Sequence, residues 1–90
     1  MTEEPRKPRH RNGVLSTRLA GEIILYDPQS SQAAALNTTA CAIWELCDGA
    51  RTVEQICAEI GQQYGVPCHE IRTEIGENVA CLFQLGMLCE

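Results

Sequence analysis

The sequence predicts an α+β fold in which three short antiparallel strands precede three helices. Strand-forming residues cluster in short runs before residue 37, whereas apolar residues recur at helical spacing after it. Gly49, Gly65 and Gly86 separate or end the helical stretches. The length of 90 residues fits one small domain with a modest core.

The strands are expected at residues 14–19, 22–26 and 32–36. Ala20-Gly21 is a turn signal between the first two, and Asp27-Pro28 ends the second. The second strand is almost continuously apolar, which predicts a central strand covered on both faces. The third strand is rich in alanine and could extend the next helix backwards. We assign it as a strand because Asn37-Thr38-Thr39 is a typical helix N-cap cluster.

The first two helices have clear start and stop signals. The first begins at Asn37 or Thr38 and ends near Cys47, before Asp48-Gly49. The second begins after Thr52, and Gly65 ends it. Thr52 and Gln55 have the spacing of a capping box. The predicted buried stripes are Ala40, Ile43, Trp44 and Cys47 on the first helix and Val53, Ile56, Cys57, Ile60 and Tyr64 on the second.

The third helix is expected from Cys68 or His69 to Leu85. Gly76 lies in its middle, where glycine is unfavourable unless another backbone approaches or packing requires it. Met87 and Leu88 are expected to pack back on the core. The predicted inward stripe consists of Ile71, Ile75, Val79, Leu82 and Phe83.

The charge distribution divides the chain at residue 12. Residues 1–12 are basic and rich in proline, so we expect a disordered tail followed by one domain at residues 13–90. The remainder is acidic. The tail contains no secretory signal, and no apolar run is long enough to span a membrane, so the expected compartment is the cytoplasm.

The six cysteines are interpreted chiefly as buried, reduced side chains. A zinc site is disfavoured because no Cys-x-x-Cys pair exists and neither histidine has ligand spacing to a cysteine. Cys68 and Cys89, at predicted element ends, are expected to be the most exposed thiols. We therefore predict no metal and no cofactor.

No catalytic motif is recognisable, and we expect no enzymatic activity. The chain has neither a phosphate-binding glycine loop nor a Ser/His/Asp set. The helix-turn-helix-like order leaves a DNA-binding regulator as the alternative function. Helix three argues against nucleic acid, because Arg72 is its one Lys or Arg, against three glutamates.

A binding module remains. The third strand is expected at an edge of the sheet, where its small side chains would let a peptide add as another strand. If the third helix runs beside that strand, the two form a groove with a backbone side and an apolar side.

The run Leu36-Asn37-x-Thr39-Ala40-x-x-Ile43-Trp44-x-Leu46-Cys47-Asp48-Gly49-x-x-Thr52-Val53-x-x-Ile56 resembles the PqqD family. Its members are recognition elements for precursor peptides that are made on the ribosome and then modified (RiPPs). The resemblance covers residues 14–88 and is weaker in the strands. It implies a winged-helix-like fold and a leader peptide docked between strand three and helix three. It also implies delivery of that peptide to a modifying enzyme, commonly a radical S-adenosylmethionine (radical SAM) protein.

Carried onto this chain, the resemblance implies peptide contacts on one strand and one helix. These candidates are Ala33, Ala34, Ala35 and Leu36 on the strand, and Arg72, Ile75, Gly76, Val79 and Phe83 on the helix. Some of these helix residues are expected to serve the core instead. Members from pyrroloquinoline quinone (PQQ) pathways usually have Pro-Glu where this chain has Pro28-Gln29, so the end product is left open. The free edge also leaves both a monomer and an edge-paired dimer open.

Overall fold

The computed structural model describes residues 7–90 as a three-stranded sheet, three helices and a small two-stranded sheet formed by the chain ends. The order of strands and helices confirms the predicted α+β class. In chain order the elements are β1 (Arg9–His10), β2 (Leu15–Leu19), β3 (Glu22–Asp27), β4 (Gln32–Leu36), α1 (Thr38–Leu46), α2 (Val53–Tyr64), α3 (Cys68–Gln84) and β5 (Leu88–Cys89).

The larger sheet is antiparallel in the order β2-β3-β4, so the nearly continuous apolar strand β3 is central, as predicted. Its hairpin with β2 closes at the pair Leu19 and Glu22. The two turn residues between them, Ala20 and Gly21, both have positive φ, of 50° and 83°. Such primed turns match the twist of the strands. β4 pairs with β3 from Gln32 opposite Asp27 to Leu36 opposite Ile23.

The helix boundaries follow the expected capping residues. Asn37 caps α1 by accepting a hydrogen bond of 2.9 Å from the Ala40 backbone N–H. The capping box of α2 is complete, because Thr52 accepts from the Gln55 N–H and the Gln55 side chain accepts from the Thr52 N–H. Gly65 ends α2 in the left-handed conformation, with φ of 66°.

One core joins the inner face of the sheet to all three helices. Leu25, Ile43 and Ile56 are fully buried in it, and Trp44 is 4% exposed. Met87 and Leu88 also pack into it, as predicted. Because β4 leads directly into α1, the core fixes the position of β4 relative to the helices. None of the helices in residues 7–90 is both long and apolar enough to cross a membrane.

Of the tail that the sequence predicts to be disordered over residues 1–12, residues 1–6 lie outside the described part, and residues 7–12 contain the two-residue strand β1. Arg9 and His10 pair with β5, and Pro8 is buried. The His10 ring stacks on Trp44, with ring centroids 3.6 Å apart. Backbone pairing and one aromatic stack leave no apolar periodicity in a sequence, so the composition of residues 7–12 gave no signal for these contacts.

Candidate functional site

The site begins at strand β4, which is an edge strand among residues 7–90. β3 occupies one side of β4, and no other strand of the described chain pairs with the opposite side. An edge strand offers unpaired N–H and C=O groups to another chain. The three central residues of β4 are alanines, so no large side chain covers those groups.

A groove of about 330 Å³ separates β4 from α3. Its strand side consists of the four predicted residues Ala33, Ala34, Ala35 and Leu36, which the structure brings together as expected. Asn37 and Ala40 close the end of the groove nearest α1. The α3 side is lined by Asn78, Cys81, Leu82 and Leu85.

The five residues predicted on α3 do not line this groove. Ile75 and Val79 are 1% and 4% exposed and belong to the core. Phe83 is half-buried and packs against the core, and Gly76 is half-buried. Arg72 lies at the surface, where it donates a hydrogen bond of 2.8 Å to Glu54 on α2.

The rotation of α3 explains this difference. A helix turns by about 100° per residue, so Arg72, Gly76 and Phe83 flank the core stripe on one side. Asn78, Cys81 and Leu85 flank it on the other, and that second flank faces β4. The sequence predicted the core stripe but contained no signal for which flank faces the strand. In the sequence, the one signal for Asn78 and Cys81 is that they are small or amide side chains next to the core stripe.

The groove flank of α3 is acidic. Glu70, Glu74 and Glu77 are exposed on that side of the helix. Arg72, the one Lys or Arg of α3, points to the opposite flank and is held by Glu54. Duplex DNA requires cations at its phosphates, so this helix is poorly suited to a major groove. The electrostatics favour a neutral or cationic ligand.

A second cavity, of about 260 Å³, lies against the part of α3 that precedes the groove residues. We call it the Tyr64 cavity. Its walls are Thr39, Ile60, Tyr64, Val66, Ile71, Glu74 and Ile75. Asn78 of the groove donates a 2.9 Å hydrogen bond to the backbone carbonyl of Glu74, so the two spaces adjoin on α3.

The cysteines divide into buried and accessible thiols. Cys41, Cys47 and Cys57 are buried, as interpreted from the sequence. Burial raises the pKa of the Cys47 thiol to about 12, and burial beside Cys68 raises the pKa of Cys57 to about 11. The most exposed thiol is Cys81 in the groove; the prediction of Cys68 and Cys89 was wrong, since both are half-buried. No cluster of metal-ligating side chains occurs in residues 7–90.

Comparison with known proteins identifies similar domains. The family model described as coenzyme PQQ synthesis protein D (PqqD) matches residues 22–88. The solution structure of the PqqD truncation of Methylobacterium extorquens PqqCD, described as a functional and stand-alone RiPP recognition element, is 29% identical. It has a TM-score of 0.75, with 92% of this chain and 88% of that chain covered. A search of curated proteins finds no match.

Two further structures share the fold at 20% identity. Lasso peptide synthetase B1, complexed with the leader peptide, has a TM-score of 0.80 and covers 93% of this chain and 99% of its own. TbiB1, in complex with the TbiA(beta) leader peptide, has a TM-score of 0.78 and covers 89% and 93%. These likenesses confirm the expected winged-helix-like fold.

Proposed function

The chain belongs to the PqqD family, and from that membership we propose that it binds the leader region of a ribosomally made precursor peptide and presents the peptide to a modifying enzyme. Members of this family are non-catalytic peptide-binding domains, in agreement with the prediction that the chain is not an enzyme. The observation that carries the proposal is the open edge of β4, which faces α3 across a groove.

The proposed binding mode is strand addition. A leader peptide in extended conformation would pair with the free backbone groups of β4 and form the fourth strand of the sheet. Main-chain hydrogen bonds supply affinity in this mode, and alternate side chains supply specificity. One set of peptide side chains would point into the groove, against Leu82 and Leu85, and the other set would extend the outer face of the sheet.

The proposed peptide contacts keep the four predicted β4 residues and add groove residues on the helix. On α3 we place them at Asn78, Cys81 and Leu85, since these side chains line the groove. The predicted contacts at Arg72, Ile75, Gly76, Val79 and Phe83 would require α3 to rotate. The buried positions of Ile75 and Val79 oppose such a rotation.

We propose a radical SAM enzyme as the partner that receives the peptide, by extension from the family, and the cytoplasm as the compartment. PQQ synthesis is one pathway that fits the family. Pro28-Gln29 departs from the Pro-Glu of its PQQ members, so we favour a related peptide pathway. An edge-paired dimer through β4 would use the same backbone groups as the peptide, so the two states exclude each other.

The test uses two neighbouring proline substitutions in β4. In the turn between β2 and β3, the Glu22 N–H points to Leu19. Successive residues of a strand direct their N–H and C=O groups to opposite sides. Ile23 therefore bonds to β4, and its partner Leu36 bonds back to β3. It follows that Ala34 bonds to β3, whereas the N–H of Ala35 faces the open edge.

Proline has no N–H, so the two variants separate binding from folding. We expect Ala35→Pro to weaken binding of leader peptides encoded beside the gene at least tenfold, with the thermal midpoint little changed. Ala34→Pro, the matched control, is expected to lower the thermal midpoint. Isothermal titration and thermal unfolding measure the two effects. Full leader affinity in Ala35→Pro would contradict strand addition.

A further inference from the structure

The Tyr64 cavity is an apolar space with one carboxylate at its wall. Ile60 and Ile75 are 2% and 1% exposed and form its inner surface. Tyr64 lines the cavity with 51% of its surface exposed, so its ring is accessible to a ligand from solvent. At about 260 Å³ the cavity is smaller than the pockets of drug-sized ligands or cofactors. Its size suits one large side chain.

The position of the cavity indicates which molecule supplies that side chain. Thr39 of the cavity adjoins Ala40 of the groove on α1, and Glu74 is hydrogen-bonded to Asn78 of the groove on α3. The cavity therefore adjoins the groove near the Leu36 end of β4, where the strand leads into α1. A peptide paired with β4 and extended past Leu36 would reach it.

Helix geometry sets the spacing between the two parts of the cleft. Ile71 precedes Asn78 by seven positions on α3, which at ~1.5 Å per residue is about 10 Å. An extended chain covers this distance in about three residues. If the added strand is antiparallel to β4, the side chain in the cavity precedes the paired segment of the peptide.

The charges around the cavity define the neighbour of that side chain. Glu74 belongs to the cavity wall, and Glu70 lies one turn before it on the same exposed flank of α3. Neither carboxylate has a cationic partner on α3, because Arg72 is directed to Glu54 on α2. A Lys or Arg next to the inserted side chain would meet Glu74 at the rim.

We propose that the Tyr64 cavity is a second recognition site, which binds a bulky apolar residue of the leader peptide. This residue adjoins a basic residue and lies about three positions outside the segment paired with β4, past its Leu36 end. The proposal rests on the proposed function, since the same peptide occupies both sites. It assigns the ligand class as a cationic, amphipathic leader. β4 forms hydrogen bonds with the backbone of that leader, and the cavity selects among its side chains.

The test is selection from a displayed library of random 20-residue peptides on the full chain. Enriched peptides are expected to share a bulky apolar residue next to Lys or Arg, and to slow alkylation of Cys81 in the groove. Tyr64→Ala is expected to weaken the enriched peptides about tenfold. Glu74→Lys is expected to reverse the preference for the basic neighbour. Glu22→Lys, the same charge change at the β2–β3 turn, should leave both preferences intact.

The outcomes separate the two proposals. Enriched peptides that protect Cys81 but share no apolar–basic pair would overturn the cavity assignment and leave groove binding standing. The cavity assignment would also be overturned if Glu74→Lys and Glu22→Lys select identical sequences. If no peptide is enriched and Cys81 reacts at its free rate throughout, the proposed function itself fails.

Discussion

At the scale of single residues, burial sets the chemistry of the thiols. Cys47 and Cys57 have no exposed surface, and their environment disfavours the thiolate, so the pKa of each lies above its ordinary value of 9.0. Neither is suited to nucleophilic chemistry near neutral pH. They pack as small apolar side chains between the helices. Cys81 differs because it is open to solvent in the groove.

This burial predicts a loss of stability at alkaline pH. Above about pH 9 the unfolded chain releases the protons of both thiols, whereas the folded chain retains them until the pH approaches about 11 to 12. The folded state then binds more protons, so its stability falls as pH rises, by up to about 1.4 kcal/mol per pH unit for each thiol. Urea titrations at pH 7.5, 9 and 10 measure the slope.

The double variant Cys47→Ala, Cys57→Ala is the control for that slope. It is expected to be less stable at neutral pH, because two buried sulfurs are lost, yet to have a flatter dependence between pH 9 and 10. An unchanged slope in this variant would show that other groups cause the alkaline loss.

At the scale of elements, two helical glycines have opposite roles. A Cβ added at Gly61, in the last turn of α2, would lie 2.7 Å from the backbone oxygen of Val66, which is closer than real Cβ contacts. A Cβ at Gly76, in the middle of α3, would meet nothing within 4 Å. The close approach that the sequence suggested at Gly76 therefore occurs at Gly61 instead.

Alanine substitutions distinguish the two glycines. We expect Gly61→Ala to destabilise the chain by about 1–3 kcal/mol, because the loop after α2 has to move. Gly76→Ala is expected to stabilise it by about 0.5–1 kcal/mol, since alanine is the better helix former. Chemical denaturation of both variants measures the difference. Equal effects of the two substitutions would contradict the packing described here.

The helices and strands were predictable from the sequence, but the helix side of the groove was not. Capping residues and apolar periodicity predicted every helix and the central strand, because those signals are local. The strand side of the groove was predicted for the same reason. Which flank of α3 faces β4 depends on how three helices pack together, and no single helix encodes that. For this reason Asn78 and Cys81 were missed, and the core residues Ile75 and Val79 were placed at the site.

At the scale of the whole molecule, the segment before β2 and the segment after α3 are joined to each other and to α1. Besides the pairing of β1 with β5, the Gly49 N–H donates to the Pro8 carbonyl at 2.9 Å, and the Arg11 N–H donates to Met87 at 3.0 Å. These bonds tie the N-terminal segment to the end of α1 and to the residues after α3. The open edge of β4 lies in the other sheet. A scaffold in which an unpaired strand edge faces a groove suits a protein that binds an extended peptide.

Peptide binding in the groove beside β4 is tested by the alkylation rate of Cys81 with and without leader peptide, followed by site-resolved mass spectrometry. Cys81 lines the groove, whereas Cys68 and Cys89 do not and serve as internal controls. We expect saturating leader peptide to slow modification of Cys81 at least tenfold and to leave the other two rates unchanged. Binding of the peptide with no protection of Cys81 would place the peptide elsewhere and contradict strand addition at β4.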